Sequence, residues 1–493
     1  MKKYALLPAL LLSAAAFADD DDTRLLLDNA RFQMRQQQAE AFSECEASRP
    51  RDCLSDSGSI EIDGETYLVP NTANDLELGI YYAIDGRQWG KVREFLQRYR
   101  SLPDHKPQLV LMSEGLLARS EGNTTAALEK MQAAHEAAPE DVRINLELAR
   151  LYGEDNQTRE SQAQFEQVVK TDIPPETREM VQGYLAALEQ RRRWHGSISI
   201  GGGYNDNINQ GNGKRECVGM FMGQCFSYRS LPEPVGSAFW QYSAVAAKKI
   251  LLRGHHNLLL RGLSYGTKYR RDDTQSEPPE PYSENTAALY AGYEYADARN
   301  DFTLTPYFEH YYRGSRSRYR AWGAEAGWER NLNAKWSLNA RAEGRRVKYL
   351  EQERQYYSDY TLYTGGAGLG YTFSDGLGLY GGIDLTRRKY PYAASSSKEY
   401  TARIGGYKMF QNGIYFNAAA LYRKSCYDAG SYFTAGEPRR DRQTILTAAL
   451  GASKLSFKNI YPELRFKRTL AHSNSDFYAY RQNEYALALK YRF

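Results

Sequence analysis

Residues 484–493, Glu484-Tyr-Ala-Leu-Ala-Leu-Lys-Tyr-Arg-Phe493, end the chain in a strict alternation of two kinds of side chain. One set is apolar or aromatic and consists of Tyr485, Leu487, Leu489, Tyr491 and Phe493. The other set consists of alanines and charged residues. Because successive side chains of a β-strand point to opposite faces, the stretch predicts a strand with one face in an apolar medium and the other in water. Strands of membrane β-barrels have this pattern.

The same period of two recurs upstream as far as residue 195. Fourteen segments alternate in this way, and they start near residues 196, 237, 257, 285, 301, 317, 334, 359, 377, 399, 413, 442, 459 and 483. Charged residues on the inner face of several segments indicate a wet lumen, because a soluble sandwich would bury them at a high cost. Residues 195–493 are therefore predicted to form a 14-stranded antiparallel outer-membrane β-barrel.

The connections between these segments alternate in length. Those after even-numbered segments are short, as at residues 253–255 and 411–412, whereas most of those after odd-numbered segments are long, as at 424–441. Bacterial barrels have short turns on the periplasmic side and long loops outside the cell. An even number of strands places both ends of the barrel on the short side. We therefore expect the segment that precedes the barrel to be periplasmic.

The longest connection, residues 206–236, contains two of the five cysteines, and it is expected either to be extracellular or to fold back as a plug. Cys217 and Cys225 are close enough in sequence to close a short disulfide loop, and so are Cys45 and Cys53. Cys426 has no obvious partner. A zinc site is not expected, because no histidines stand at ligand spacing beside these pairs.

The amino-terminal region predicts export. Residues 1–18 form a signal peptide with two lysines, an apolar stretch and the small-x-small sequence Ala16-Phe-Ala18. Residues 19–72 are polar and irregular, and we interpret them as an arm. Beyond the signal, no apolar run approaches the roughly 18 residues that a membrane-spanning helix requires.

Residues 73–194 have helical periodicity and an internal period of 34, which is the spacing of tetratricopeptide (TPR) repeats. The matched positions are Gly115, Ala118, Ala127, Met131 and Ala134 in one copy and Ala149, Tyr152, Ser161, Phe165 and Val168 in the next. A generic helical bundle is the alternative, but the matched small residues favour a TPR-like helical domain. Such stacks present a concave protein-binding surface. Arg119 and Arg150 are candidate client-binding residues on this concave surface. The simpler interpretation is that both are solvated surface arginines.

The sequence predicts no catalytic, cofactor-binding or metal site. Its seven histidines form no constellation with a nucleophile and a base, so an enzyme is not expected. The three glycines at 201–203 lie in a predicted strand and not in a phosphate-binding loop. The formal net charge of +4 is close to balanced, and it indicates no nucleic-acid partner.

The order of these features resembles the surface lipoprotein assembly modulator (Slam) family of Gram-negative bacteria. Those proteins join a short periplasmic TPR module to a 14-stranded barrel. The motifs that carry the resemblance are Ile60-Glu-Ile-Asp-Gly-Glu-Thr66, the repeat with Gly115 and Pro139, Pro174-Pro175, Asn205-Asp-Asn-Ile-Asn-Gln210 and the aromatic carboxyl terminus.

The resemblance implies an outer-membrane translocon that delivers surface lipoproteins, or related secreted haem- or iron-binding proteins, from the periplasm to the cell surface. Its partners would be the client protein, outer-membrane lipids and the barrel-assembly machinery, whose recognition signal the terminal strand ending at Phe493 resembles. The alternative is a passive or exopolysaccharide-exporting pore, although such exporters generally carry a longer repeat array. A structural or adhesive barrel is a third hypothesis.

Overall fold

The computed structural model describes residues 58–270, 278–373, 376–410, 412–431, 434, 436–452 and 455–493. The predicted signal peptide, most of the arm and the pair Cys45 and Cys53 lie outside the described residues. In the part of the chain that is described, a β-hairpin precedes seven helices and a closed barrel.

The end of the predicted arm is a hairpin and not an irregular segment. Strands β1 (Ser59–Ile62) and β2 (Glu65–Leu68) pair in antiparallel register across Asp63 and Gly64, which both have positive φ angles. Ile60 is buried against the first helices. Each strand has only four residues, and so short an alternation does not distinguish a strand from a loop in the sequence.

The helices form antiparallel pairs with the repeat spacing that the sequence predicts. They are α1 (Ala73–Asp85), α2 (Trp89–Arg100), α3 (Pro107–Ser120), α4 (Thr124–Ala137), α5 (Val142–Glu154), α6 (Thr158–Val169) and α7 (Pro175–Gln190). The first helices of successive pairs begin at Ala73, Pro107 and Val142, close to the 34-residue TPR period. Asp141 caps α5 by accepting hydrogen bonds from two amides of its first turn.

Small residues let these helices approach closely. A Cβ atom on Gly115 would lie 3.1 Å from the carbonyl oxygen of Ala127, so only glycine fits where α3 crosses α4 without a shift of the neighbouring backbone. The Ser161 hydroxyl donates to the carbonyl of Ala149 at 2.7 Å in the equivalent crossing of α5 and α6. Phe165, which is fully buried, then stacks on a tyrosine of the last helix.

Fourteen antiparallel strands close into one barrel, as the sequence predicts. They are β3 (His195–Asn205), β6 (Ser237–Leu251), β7 (His256–Tyr269), β8 (Glu284–Ala296), β9 (Asn300–Arg313), β10 (Arg316–Asn331), β11 (Trp336–Tyr349), β12 (Tyr360–Thr372), β13 (Leu377–Lys389), β14 (Ser397–Met409), β15 (Ile414–Gly430), β16 (Pro438–Ala452), β17 (Ile460–Ser473) and β18 (Tyr480–Arg492). The remaining strands, β4 (Arg215–Phe221) and β5 (Gln224–Ser230), form a hairpin within the longest connection.

The outward face of the barrel is the apolar one. In β18, Leu487 and Leu489 are more than half exposed, whereas Ala486 and Ala488, which alternate with them, are buried inside. This alternation is the reason why a period of two in the sequence identified the strands. Within the described residues, no helix is long and apolar enough to cross a membrane.

Candidate functional site

One half of the lumen wall is filled by side chains. On β8 and β9, Tyr290 and Tyr307 stack with their ring centroids 4.7 Å apart, and the Arg261 guanidinium lies 4.2 Å from the Tyr290 ring centroid. Buried ion pairs surround these rings, such as that between Arg345 Nη1 and Glu309 Oε1 at 3.3 Å. The charged side chains of this region are therefore paired with one another or with the rings, which occupy the volume between them.

The filled half continues across β11 to β14. Tyr360 stacks on Tyr390 with centroids 4.7 Å apart, and the guanidinium of Arg388 lies over the Tyr360 ring. Arg388, which is only 2% exposed, donates through Nε to Glu399 at 3.2 Å. Several side chains of this wall are thus buried against one another, as in a protein core.

The other half, built mainly from β15–β18, β3 and β6, is open. Its inward positions include several small residues: Ser197, Ser199, Gly201, Gly203, Ala449, Ala486 and Ala488. A cavity of about 300 Å³ lies against this wall. The open space follows from side-chain size, because glycine, alanine and serine cannot reach across the lumen.

An ion cluster lies on the open wall. The carboxylate of Glu463 receives Arg465 Nε at 2.6 Å, Lys490 Nζ at 3.6 Å and the hydroxyl of Tyr415. Arg465 also reaches across the barrel closure and donates to the Ser199 hydroxyl at 2.9 Å.

The first part of the longest connection folds over the barrel mouth at the end with long loops. The Asn207 amide donates to the carbonyls of Gly211 at 2.8 Å and of Arg481 at 2.7 Å. Beside it, Ile208 is buried against Phe239 and other inward-facing residues and lines the cavity. Residues 206–213 thus partly cover the mouth.

The rest of that connection projects as the β4–β5 hairpin. A disulfide joins Cys217 to Cys225, whose Cα atoms are 5.9 Å apart, and Phe221 and Met222 at the tip are largely exposed. The structure therefore divides residues 206–236 between the two expected arrangements, a cover and an exposed loop. Cys426 is a free thiol on β15.

The helical module contacts the short turns of the barrel directly. Asp155, at the end of α5, accepts from His255 Nε2 at 2.6 Å through one carboxylate oxygen and from the Ala298 amide at 3.1 Å through the other. Asn156 Nδ2 donates to the Asp297 carbonyl at 2.8 Å, and the Gly254 amide donates to the Glu160 carboxylate at 2.8 Å. These bonds attach the α5–α6 turn to the β6–β7 and β8–β9 turns.

Two charged groups near this junction have shifted pKa values. Burial alone would raise the pKa of Asp297, but hydrogen bonds from the Arg299 and Asn300 amides and from the Asn300 side chain hold it below the ordinary value. Burial lowers the pKa of Arg191 to about 10, and its guanidinium donates to the Gly153 carbonyl at 3.0 Å. Arg191 thus remains a cation at neutral pH and ties the end of α7 to the end of α5.

The two arginines singled out in the helical module lie on the first helices of adjacent repeats. Arg119 on α3 forms an ion pair with Glu154 on α5, through two of its nitrogens. Arg150 on α5 pairs with Glu147 at 3.2 Å, and its guanidinium lies 5.8 Å from the Tyr184 ring centroid. Both side chains are partly buried and engaged within the module, a placement that the sequence does not reveal.

The predicted assembly signal forms the outer, exposed side of the barrel closure. Tyr485, Leu487 and Leu489 are each more than half exposed on β18, and Tyr491 stacks on Phe493 with centroids 5.8 Å apart.

In the part of the chain that the structure describes, no group of three histidine, cysteine, aspartate or glutamate side chains is placed to hold a metal ion.

A closed 14-stranded barrel joined to a TPR-like module defines a class of outer-membrane proteins that carry a helical repeat domain. A family model described as surface lipoprotein assembly modifier matches residues 194–493, and one described as its N-terminal TPR repeats matches residues 65–165. The chain belongs to this family of surface lipoprotein assembly modifiers. Its fold and family indicate the outer membrane of a Gram-negative bacterium.

Relatives with similar sequences match along most of the chain. A hemophilin secretion modulator of Acinetobacter baumannii is 27% identical and covers 100% of this chain and 100% of its own. Surface lipoprotein assembly modifier 1 of Neisseria meningitidis serogroup B is 25% identical over 96% of this chain and 93% of its own. Among solved structures, a bacterial polysaccharide outer membrane secretin is 9% identical, covers 60% of this chain and 98% of its own and has a TM-score of 0.33.

Proposed function

We propose that this protein is an outer-membrane translocon that delivers a client, either a surface lipoprotein or a related secreted haem- or iron-binding protein, from the periplasm to the cell surface. The observation that supports the proposal most directly is the attachment of the repeat module to the short turns of the barrel through Asp155 and its neighbours. This junction puts a protein-binding module beside one entrance of the lumen. The names of the relatives agree with such a role.

In this proposal the helical module and the short turns face the periplasm, and the long loops face the outside. Short periplasmic turns and long external loops are the general rule for bacterial barrels. Both the start of β3 and the end of β18 lie at the short-turn end, so the module that precedes β3 is on the same side. The helical module would then capture the client in the periplasm, before the client crosses the outer membrane.

The client would meet the helical module first. Repeat stacks of this type bind proteins on their concave surface, and Arg119 and Arg150 are the residues that we propose for this contact. Each already faces a glutamate, so an acidic group of the client would compete for the same guanidinium. Binding would therefore exchange one ion pair for another and would remain reversible.

Two further partners follow from the barrel. Its exposed outer residues, such as Leu487 and Leu489, would contact lipid hydrocarbon. The terminal strand with Tyr485 and Phe493 would be recognised by the barrel-assembly machinery before insertion.

The proposal is tested by deleting the gene and measuring protease accessibility of candidate clients on intact cells. We expect a client to remain in the periplasm without the protein and to return to the surface when the gene is restored. A variant with Arg119→Gln and Arg150→Gln should lower surface display while the barrel stays at its normal level. Arg143→Gln, which removes an exposed ion pair with Asp85 in the same module, is the matched control.

Unchanged surface exposure of every candidate in the deletion strain would refute translocation. Loss of a surface polysaccharide with normal display of proteins would instead identify the exporting pore.

A further inference from the structure

The open half of the lumen carries more positive than negative charge. On β17 and β18 the side chains that line the cavity include four basic residues, Arg465, Lys467, Lys490 and Arg492, and two acidic residues, Glu463 and Glu484. Their strand parity directs them inward, on the same face as the buried Ala486 and Ala488. Low-dielectric walls strengthen the field of such an excess inside the lumen.

The acidic groups of this wall are already engaged. Glu463 forms ion pairs with both Arg465, whose Nε lies 2.6 Å away, and Lys490, so this cluster holds two cations for one carboxylate. Glu484 accepts from the Asn205 amide at 3.3 Å. With four basic and two acidic side chains, these two strands contribute a net excess of two positive charges to the cavity.

The filled half of the lumen cannot offer its charges in the same way. Arg388 and Glu309 are each only 2% exposed, and stacked tyrosines cover the groups around them. A passing ligand would consequently meet the β15–β18 wall, where small residues leave space. The cavity of about 300 Å³ is at the small end of binding pockets, which suits an extended chain and not a folded domain.

We infer that the open wall of the lumen binds an extended, acidic peptide segment of the exported protein, with Lys467, Lys490 and Arg465 as its main contacts. This inference rests on the proposed function and adds the chemistry of the segment that passes through the lumen. Hydroxyl and amide groups of the same wall, such as Asn417 and Thr447, can hydrogen-bond to the main chain of the segment. Carboxylates of the segment would be attracted to the cationic cluster.

The test uses the purified full-length protein in detergent and two fluorescent peptides, one of alternating glutamate and serine and one of alternating lysine and serine. We expect the acidic peptide alone to bind, measured by fluorescence anisotropy, and its affinity to fall as salt is added, because salt screens the attraction. Equal binding of both peptides, or no binding of either, would overturn the inference.

Substitutions locate the site. Lys467→Glu reverses one charge and should weaken binding of the acidic peptide by about fivefold or more, since one close charge pair contributes on the order of 1 kcal/mol in water. Lys490→Gln should act in the same direction, although its removal also leaves Glu463 with one cation fewer. Lys348→Glu, on the outward face of β11, is the matched control and should bind the peptide normally.

Display of the client in cells separates this inference from the proposed function. If gene deletion abolishes display but Lys467→Glu displays the client normally and binds the acidic peptide normally, then translocation stands and the acidic-segment inference is wrong. If gene deletion leaves display unchanged, the proposed function itself fails. Reduced display by Lys467→Glu, with unchanged barrel abundance and normal display by Lys348→Glu, supports both.

Discussion

Phe493 and Gly196 exchange two main-chain hydrogen bonds, from the Gly196 amide to the Phe493 carbonyl at 3.0 Å and from the Phe493 amide to the Gly196 carbonyl at 3.2 Å. Phe493 therefore continues the pairing between β18 and β3 by one residue past the end of β18. A Cβ atom on Gly196 would lie 2.7 Å from the Phe493 ring and 2.2 Å from the Val245 carbonyl oxygen. Glycine is thus required at position 196, where the Phe493 ring crosses β3, the first strand of the barrel.

Deleting Phe493 should lower the amount of folded barrel in the outer membrane, because the deletion removes both closing hydrogen bonds and the terminal ring. Phe493→Ala keeps the main chain and should show a smaller loss that reports on the ring alone. The measurement is the heat-modifiable fraction of the protein in outer-membrane extracts. Phe410→Ala, which removes another exposed ring near the short turns, is the control. Normal assembly of the deletion variant would contradict the role of the terminal strand.

Replacing Asp155 with alanine should loosen the helical module from the barrel. The carboxylate holds His255 Nε2 at 2.6 Å and the Ala298 amide at 3.1 Å, and charged hydrogen bonds contribute about 1.5–3 kcal/mol each. We expect faster amide hydrogen exchange in the β6–β7 and β8–β9 turns, by roughly tenfold or more.

The control for this substitution is Asp85→Ala, which removes a surface partner of Arg143 in the same module. It should leave exchange in the barrel turns unchanged. His255→Ala should reproduce the part of this effect that comes from the bond to His255, and the double variant should add little to Asp155→Ala because the two residues share that bond. Additive effects of the two substitutions would show that the contact does not join the module to the barrel.

Glu399→Ala should destabilise the filled half of the barrel strongly. Glu399 receives Arg388 Nε at 3.2 Å and the Ser397 hydroxyl at 3.1 Å, and both partners are buried. Breaking a buried ion pair leaves an uncompensated charge and costs about 3–5 kcal/mol. The measurement is unfolding by guanidinium chloride in detergent, followed by tryptophan fluorescence.

The neighbouring pair of Arg387 and Asp428 provides the comparison. Its bond from Arg387 Nη1 to Asp428 Oδ1 is 2.7 Å long, but both side chains are substantially exposed to solvent. Asp428→Ala should therefore cost no more than about 1 kcal/mol. An equal loss of stability in the two variants would show that burial does not set the strength of these pairs.

The sequence predicts those parts of the molecule in which a local pattern reflects the environment of each residue. The alternation of Tyr485 and Leu487 with Ala486 indicates a strand between lipid and lumen. The spacing of 34 residues between Gly115 and Ala149 indicates stacked repeats. These signals extend over a few residues or one repeat, and the structure bears out both the 14-stranded barrel and the helical repeats.

Contacts between distant segments have no such local signal. Asp155 and His255 are 100 positions apart, and Asn207 and Arg481 are 274 positions apart. Asp155, His255 and Asn207 have ordinary polar side chains in ordinary turns or loops, and Arg481 takes part only through its main-chain carbonyl on β18. The attachment of the helical module and the cover of the barrel mouth therefore emerge only when the barrel brings its strands together. The filled and open halves of the lumen likewise depend on which side chains face each other across it.

Replacing Asn207 with alanine should open the barrel mouth. Asn207 is 2% exposed, and its side chain bonds to Gly211 twice and to the Arg481 carbonyl. The loss of these bonds removes roughly 1 kcal/mol each, so the covering segment should leave the mouth at least about tenfold more often. We expect a higher single-channel conductance of the purified full-length protein in planar lipid bilayers.

Asn333→Ala is the matched control for this experiment. The Asn333 side chain also caps main-chain amides, those of Lys335 and Trp336 at 2.9 Å, but in a turn at the opposite end of the barrel. Its replacement should leave the conductance unchanged, because that turn does not cover the cavity. Equal conductance of the parent protein and Asn207→Ala would mean that residues 206–213 do not restrict the lumen, and that the filled wall alone sets its width.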